Sequence, residues 1–130
     1  MRILLGIVAG VVVAFVCVFA IEMVGHTAYP PPPDMDLTKP EDVARLMETI
    51  PAAALAFVAA AWFVGALAGA WTANAVAKRA LAGWIVALLI VCGAVATMVM
   101  IPHPTWMWGA GIVLPIVAAW FAQRLSKVPA

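Results

Sequence analysis

The sequence predicts an all-α integral membrane protein: four transmembrane helices in one bundle, with a short amphipathic helix in the outer 25–50 loop. Three observations carry this. Of 130 residues, 67% are hydrophobic and only 10% are charged, where a soluble domain carries about 25% charged and about half apolar residues. Four apolar segments each reach the roughly 20 residues needed to cross about 30 Å of hydrocarbon. Lysine and arginine gather at one set of segment ends. One small bundle uses up this length, so residues 1–130 read as a single domain.

The first span covers about 3–24, and its run from Ile3 to Ile21 holds no charge. Arg2, the apolar core and Val18-Phe19-Ala20 also resemble a secretory signal with a cleavage site. The core is long for that role, so an uncleaved span is expected. Gly25 is a candidate helix terminator. Pro30 to Pro33 require extended polyproline backbone, a stiff spacer. In "LTKPEDVARLMETI", Thr38 and Glu41 have capping-box spacing and Pro40 suits a helix start. Val43, Leu46, Met47 and Ile50 recur at i, i+3, i+4, i+7, one apolar face. A helix over 40–49 follows, read as a cap on the bundle or as a helix lying on the membrane surface. The second span is 51–77, with Pro51 in its first turn. The third is 81–101 and the fourth 104–123, where Pro115 should kink the helix.

Orientation follows from the cations. Arg2, Lys78, Arg79, Arg124 and Lys127 fall on one side, and only Lys39 and Arg45 on the other. Both termini are therefore expected inside, with the 25–50 and 102–105 loops outside. Glu22, Asp34, Asp36, Glu41, Asp42 and Glu48 all fall outside, as do His26 and His103. Trp71, Trp84 and Trp120 fall at the inner boundary, and Tyr29, Trp106 and Trp108 at the outer one, levels that suit a ring with one polar atom. Trp62 alone is at mid-depth.

Lipid is as apolar as leucine, so membrane helices associate through close packing of small residues. Ala61, Gly65, Gly69 and Ala73 form one row on the second span; Gly6, Gly10 and Ala14 form another on the first. These rows predict an interface inside one molecule, with a dimer interface as the alternative. Asn74 and Thr72 are read as helix-to-helix hydrogen bonds. Cys17 and Cys92 lie in apolar runs at similar depth and are read as small hydrophobes.

The sequence lacks a Gly-rich phosphate loop, His-Glu-x-x-His and paired Cys-x-x-Cys, and the one serine, Ser126, lies at the opposite side from both histidines. No basic cluster points to nucleic acid. An enzyme is not expected. The candidate chemistry is at the outer rim, where Glu22, His26, Tyr29 and His103 fall at one level. Glu22, His26 and His103 would suit Zn²⁺ or a similar divalent ion, with Asp34 or Asp36 as a fourth ligand. The alternative is that Glu22 bonds His26, backbone N–H groups or Tyr29 and pins the loop, with no cofactor.

The strings "E-x-x-x-H-x-x-Y-P-P-P-P", "P-A-A-A-L-A-F-V", "W-F-V-G-A-L-A-G" and "I-P-H-P-T-W" together resemble a group of small bacterial four-span inner-membrane proteins. That group has no assigned activity, so the resemblance implies location in a bacterial inner membrane and nothing about mechanism. Three function classes stay open. A structural or interaction protein, such as an accessory subunit, fits best, with the lipid bilayer, another membrane protein or a second copy as partners. A divalent-metal, small-ligand or haem site using the outer Glu/His cluster is the second. A small transporter or channel acting as an oligomer is the third.

Overall fold

A computed structural model describes all residues from 1 to 130. The chain is all-helical, with α1 (Arg2–Ala28), α2 (Pro40–Thr49), α3 (Ala52–Ala77), α4 (Ala80–Met100) and α5 (Thr105–Ser126). Helices α1, α3, α4 and α5 are long and apolar enough to cross a membrane. At 27 residues, α1 is about 40 Å long. Boundaries lie within a few residues of those expected, with two informative differences. Gly25 does not end α1; it is buried in the helix, where its missing side chain lets α1 close on Phe57. The helix ends instead at Tyr29, whose N–H donates to the Gly25 carbonyl at 2.8 Å. Pro30 explains this stop, because the residue before a proline is pushed out of the helical region. Pro51 is the N-cap of α3 and stands just outside the first turn, in extended backbone.

The expected capping box on α2 does not form. Lys39 is the N-cap and no side chain caps the helix, although Pro40 does occupy the first turn. Thr38 is engaged elsewhere: its hydroxyl donates to Asp36 Oδ1 at 2.6 Å and its N–H to the same oxygen at 3.0 Å. A local Asx turn thus outcompetes the cap. The polyproline spacer is also shorter than expected. Pro30 to Pro32 stand outside any helix or turn, and the Met35 N–H closes a turn onto the Pro32 carbonyl at 3.2 Å. Proline suits the second position of such a turn and aspartate the third, so Pro33-Asp34 bends the chain.

The long helices alternate in direction, and α3 is the central one, packed against α1, α4 and α5. No contact joins α1 to α5. At one end of the bundle lie Arg2, the Lys78-Arg79 turn and Arg124 with Lys127; this is the cationic end. The acids from Asp34 onward, and both histidines, lie at the other. Ala14, Ala73, Ala77, Ala82 and Val86 form the core toward the cationic end. Leu55, Trp62, Ala94, Met98 and Met107 form it toward the acidic end, with Met47 and Ile50 packed on top. Met47 of α2 and the adjoining Ile50 pack their side chains on this end of the bundle, while the α2 backbone stands clear of the long helices.

The two small-residue rows face each other. A Cβ added to Gly6 would meet the Ala73 carbonyl, and one added to Gly65 would meet Val18 and the Ala14 carbonyl. The rows thus form an interface within one chain. Pro115 is fully buried inside α5, which continues as one helix through it. No disulfide forms; Cys17 is half-buried and Cys92 exposed on the outside of α4, away from the packed interior.

Candidate functional site

The small core side chains toward the cationic end bring α1, α3 and α4 together, where Val86 touches the positions of both Gly10 and Gly69. Farther along, a cleft of about 310 Å³ opens between α1 and α4. Phe15, Val18, Phe19 and Glu22 form its α1 wall, Leu89, Ile90, Gly93 and Thr97 its α4 wall, and Trp62 of α3 its floor. Glu22 also borders a smaller cleft with His26 and Tyr29, opposite Ile50 and Phe57. His26 and Tyr29 in turn line a hollow of about 350 Å³ between the proline segment and α2. One edge of α1 therefore carries Glu22, His26 and Tyr29 along a continuous line of clefts. α1 stays helical to Ala28, so Glu22 and His26, four apart, share a face.

The polar side-chain atoms on this edge make no hydrogen bond or ion pair. The one ion pair in the chain is Arg45–Asp42, at 3.1 Å, and none of the side-chain hydrogen bonds reaches Glu22, His26 or the Tyr29 hydroxyl. The Tyr29 ring stacks at a tilt on Phe57, with centroids 6.1 Å apart. The expected ties from Glu22 to His26 or Tyr29 are absent.

His103 does not join this edge. It sits in the turn between α4 and α5, beside Met47 and Glu48 of α2. Its Nδ1 lies 2.6 Å from the Ile101 carbonyl oxygen, which can only accept. Nδ1 therefore carries the proton and holds the turn. No three His, Cys, Asp or Glu side chains come together in a way that could hold a metal ion. The set Glu22, His26 and His103 is thus not assembled, because equal depth along a bundle leaves open which side of it a residue faces. Asp34 and Asp36 do not complete it either. The Asp36 carboxyl is occupied in its own turn, where the Thr38 hydroxyl first, and the Thr38 N–H second, hold its pKa below the usual carboxylate range.

The polar residues at the cationic end form a structural latch. Asn74, fully buried, accepts the Gly83 N–H at 2.8 Å and donates to Ser126 Oγ at 3.2 Å, joining α3, α4 and α5. Trp84 Nε1 donates to Gln123 Oε1 at 2.9 Å, and the Ala80 N–H donates to the Pro129 carbonyl at 2.9 Å. Asn74 thus makes the helix-to-helix bonds expected of it. Thr72 does not; its hydroxyl donates to Ala68 in its own helix. Sequence reasoning missed Gly93 and Thr97 as cleft residues, since neither belongs to a small-residue row or a charged motif. The pairing of Trp84 with Gln123 was signalled only by two amphipathic side chains at one expected depth.

Fold and site together define an all-helical protein with four helices apt for a membrane and an unpaired acid at the mouth of a lateral cleft. No protein family, no curated protein and no solved structure matches the chain.

Proposed function

We propose that the chain is a four-span integral protein of the bacterial inner membrane that acts as an interaction or accessory subunit, with both termini cytoplasmic and the 25–50 loop on the far side. Support for the orientation comes from the cationic end, since positive residues are retained on the cytoplasmic side. On this reading α2 lies at the outer surface as a cap.

One observation carries the interaction role. α1 spends its small residues Gly6, Gly10, Ala14 and Gly25 on α3 and turns Leu5, Val8, Val12, Val16 and Met23 outward, all of them more than half exposed. It packs on α3 and lightly on α4, and is the least enclosed of the four long helices. A span held along one side only presents a long face to a neighbouring membrane protein, with close packing as the driving force. The polar groups inside the bundle are already engaged in the latch, which suits a binding role better than conduction.

Site-directed photocrosslinking in intact cells tests this. A photoreactive residue in place of Val12 should give one discrete adduct, while the same residue in place of Val113, on exposed α5, should give none. Equal adducts from both positions, or none from Val12, would overturn the proposal.

A further inference from the structure

The cleft between α1 and α4 adjoins the outward face of α1: its wall residues Phe15 and Phe19 are 68% and 66% exposed. It is built by an omission. A Cβ added to Gly93 would meet nothing within 4 Å, although glycine inside a helix is disfavoured relative to alanine. Gly10 and Gly69 differ, since a Cβ there would strike backbone. Close helix packing therefore explains those two glycines and does not explain Gly93. Gly109 is equally open, so openness alone marks no site; Gly93 differs in lining the cleft, where it contributes no side chain to fill it.

The walls define what fits. Phe15, Phe19, Leu89, Ile90 and the buried Trp62 make the cleft apolar and aromatic. Its volume of about 310 Å³ lies at the lower end of the roughly 300–1,000 Å³ of small-molecule sites. Glu22 is the one charged side chain on these walls; no hydrogen bond or ion pair holds it, and its charge neighbour is His26, one turn along α1. The Thr97 hydroxyl is already committed to the Gly93 carbonyl at 2.9 Å. Glu22 is partly buried, and a carboxylate withdrawn from water with no hydrogen-bond donor is costly. A primary ammonium placed there removes that cost by donating charged hydrogen bonds to the carboxylate.

We propose that this cleft binds an amphiphile with a primary ammonium head, its apolar body between α1 and α4 and its ammonium on the Glu22 carboxylate. The depth agrees. Glu22 is about 29 Å along α1 from Ile3, at the outer edge of the hydrocarbon, where ammonium head groups lie. Phe15 is about 10 Å deeper, and the wall between them is apolar. The proposal rests on the membrane placement of α1. The ammonium could belong to an aminophospholipid or to a free lipophilic amine, and the shared chemistry is the same.

The test uses the full chain in nanodiscs of phosphatidylcholine, which has no primary amine. Octylammonium should raise the melting temperature saturably, and octanol at equal concentration should not. Glu22→Gln should raise the half-saturating octylammonium concentration about tenfold, the weight of one charged hydrogen bond. Gly93→Leu should abolish the response by filling the cleft; a Cβ there meets nothing within 4 Å, so melting without ligand should not fall and should rise slightly as a helical glycine is replaced. If Glu22→Gln does not fold, Gly93→Leu decides alone. Equal responses of the wild type and the folded variants, or an octanol effect matching that of octylammonium, overturn the site. Replacing part of the lipid by phosphatidylethanolamine separates the sources. Blunting of the octylammonium response in the wild type assigns the lipid head group, and an unchanged response assigns a free amine. A chain that elutes apart from the nanodiscs overturns the membrane reading, and the site with it. A chain that inserts but does not discriminate overturns the site alone.

Discussion

Gly10 and Gly69 meet backbone against backbone: a Cβ on Gly69 would stand 2.7 Å from the Gly10 carbonyl oxygen, and one on Gly10 would stand 2.5 Å from that of Gly69. Neither neighbour is the flexible end of a side chain, so neither can give way cheaply. α1 is joined to the bundle chiefly through this contact and its repeats at Gly6 and Gly65.

Gly69→Leu is therefore expected to destabilise the chain by at least the 1–3 kcal/mol, in round terms about 2, typical of overpacking. Gly109→Ala is the control, because a Cβ there meets nothing within 4 Å, and it should stabilise by roughly 0.5–1 kcal/mol. Thermal or denaturant melting in mild detergent checks both. Unchanged melting of Gly69→Leu would refute the packing argument.

Asn74 is the one buried polar side chain of the core. Asn74→Ala should lower stability by about 1–3 kcal/mol, since it strands the Gly83 N–H near the start of α4 and removes the bond to Ser126. Ser126→Ala should have a smaller effect, because it leaves the Gly83 bond intact. The same melting assay ranks the two, and a larger loss for Ser126→Ala contradicts the latch.

The Asp36–Thr38 turn should respond to acid. The folded pKa of Asp36 is lowered, by the Thr38 hydroxyl before the Thr38 N–H, so the unfolded turn takes up a proton more readily. Its contribution is complete above the usual carboxylate range and is lost as pH falls through that range to the lower folded value. Asp36 is exposed, so the effect stays local. The amide shift of Thr38 should follow this titration, and Thr38→Val should move the midpoint upward. An identical midpoint in that variant rules the bond out as the cause.

Sidedness is open to direct labelling. In a variant lacking Cys17 and Cys92, cysteines placed at Asp36 and at Thr105 should react with an impermeant thiol reagent added outside intact cells, while one at Lys127 should react only after lysis. The reverse pattern inverts the proposed orientation.

Sequence composition and run length alone determined that the chain is all-helical, with four helices apt for a membrane, and placed their ends within a few residues. These properties are local: each helix satisfies its own backbone, and apolar length is countable. The small-residue rows were legible for the same reason, because spacing of four puts residues on one face. Tertiary structure decided what meets what. Depth along a span is read by counting residues, but rotation about the bundle axis is not, so Glu22, His26 and His103 could share a level and still not gather into one ligand set. Gly25 had a local reading as a terminator and a tertiary role against Phe57, and the tertiary contact prevailed. The cleft at Gly93 exists only because α1 and α4, close at Val86, leave a gap that no side chain of either helix fills. No single helix encodes such a gap, since it is a property of the space between them.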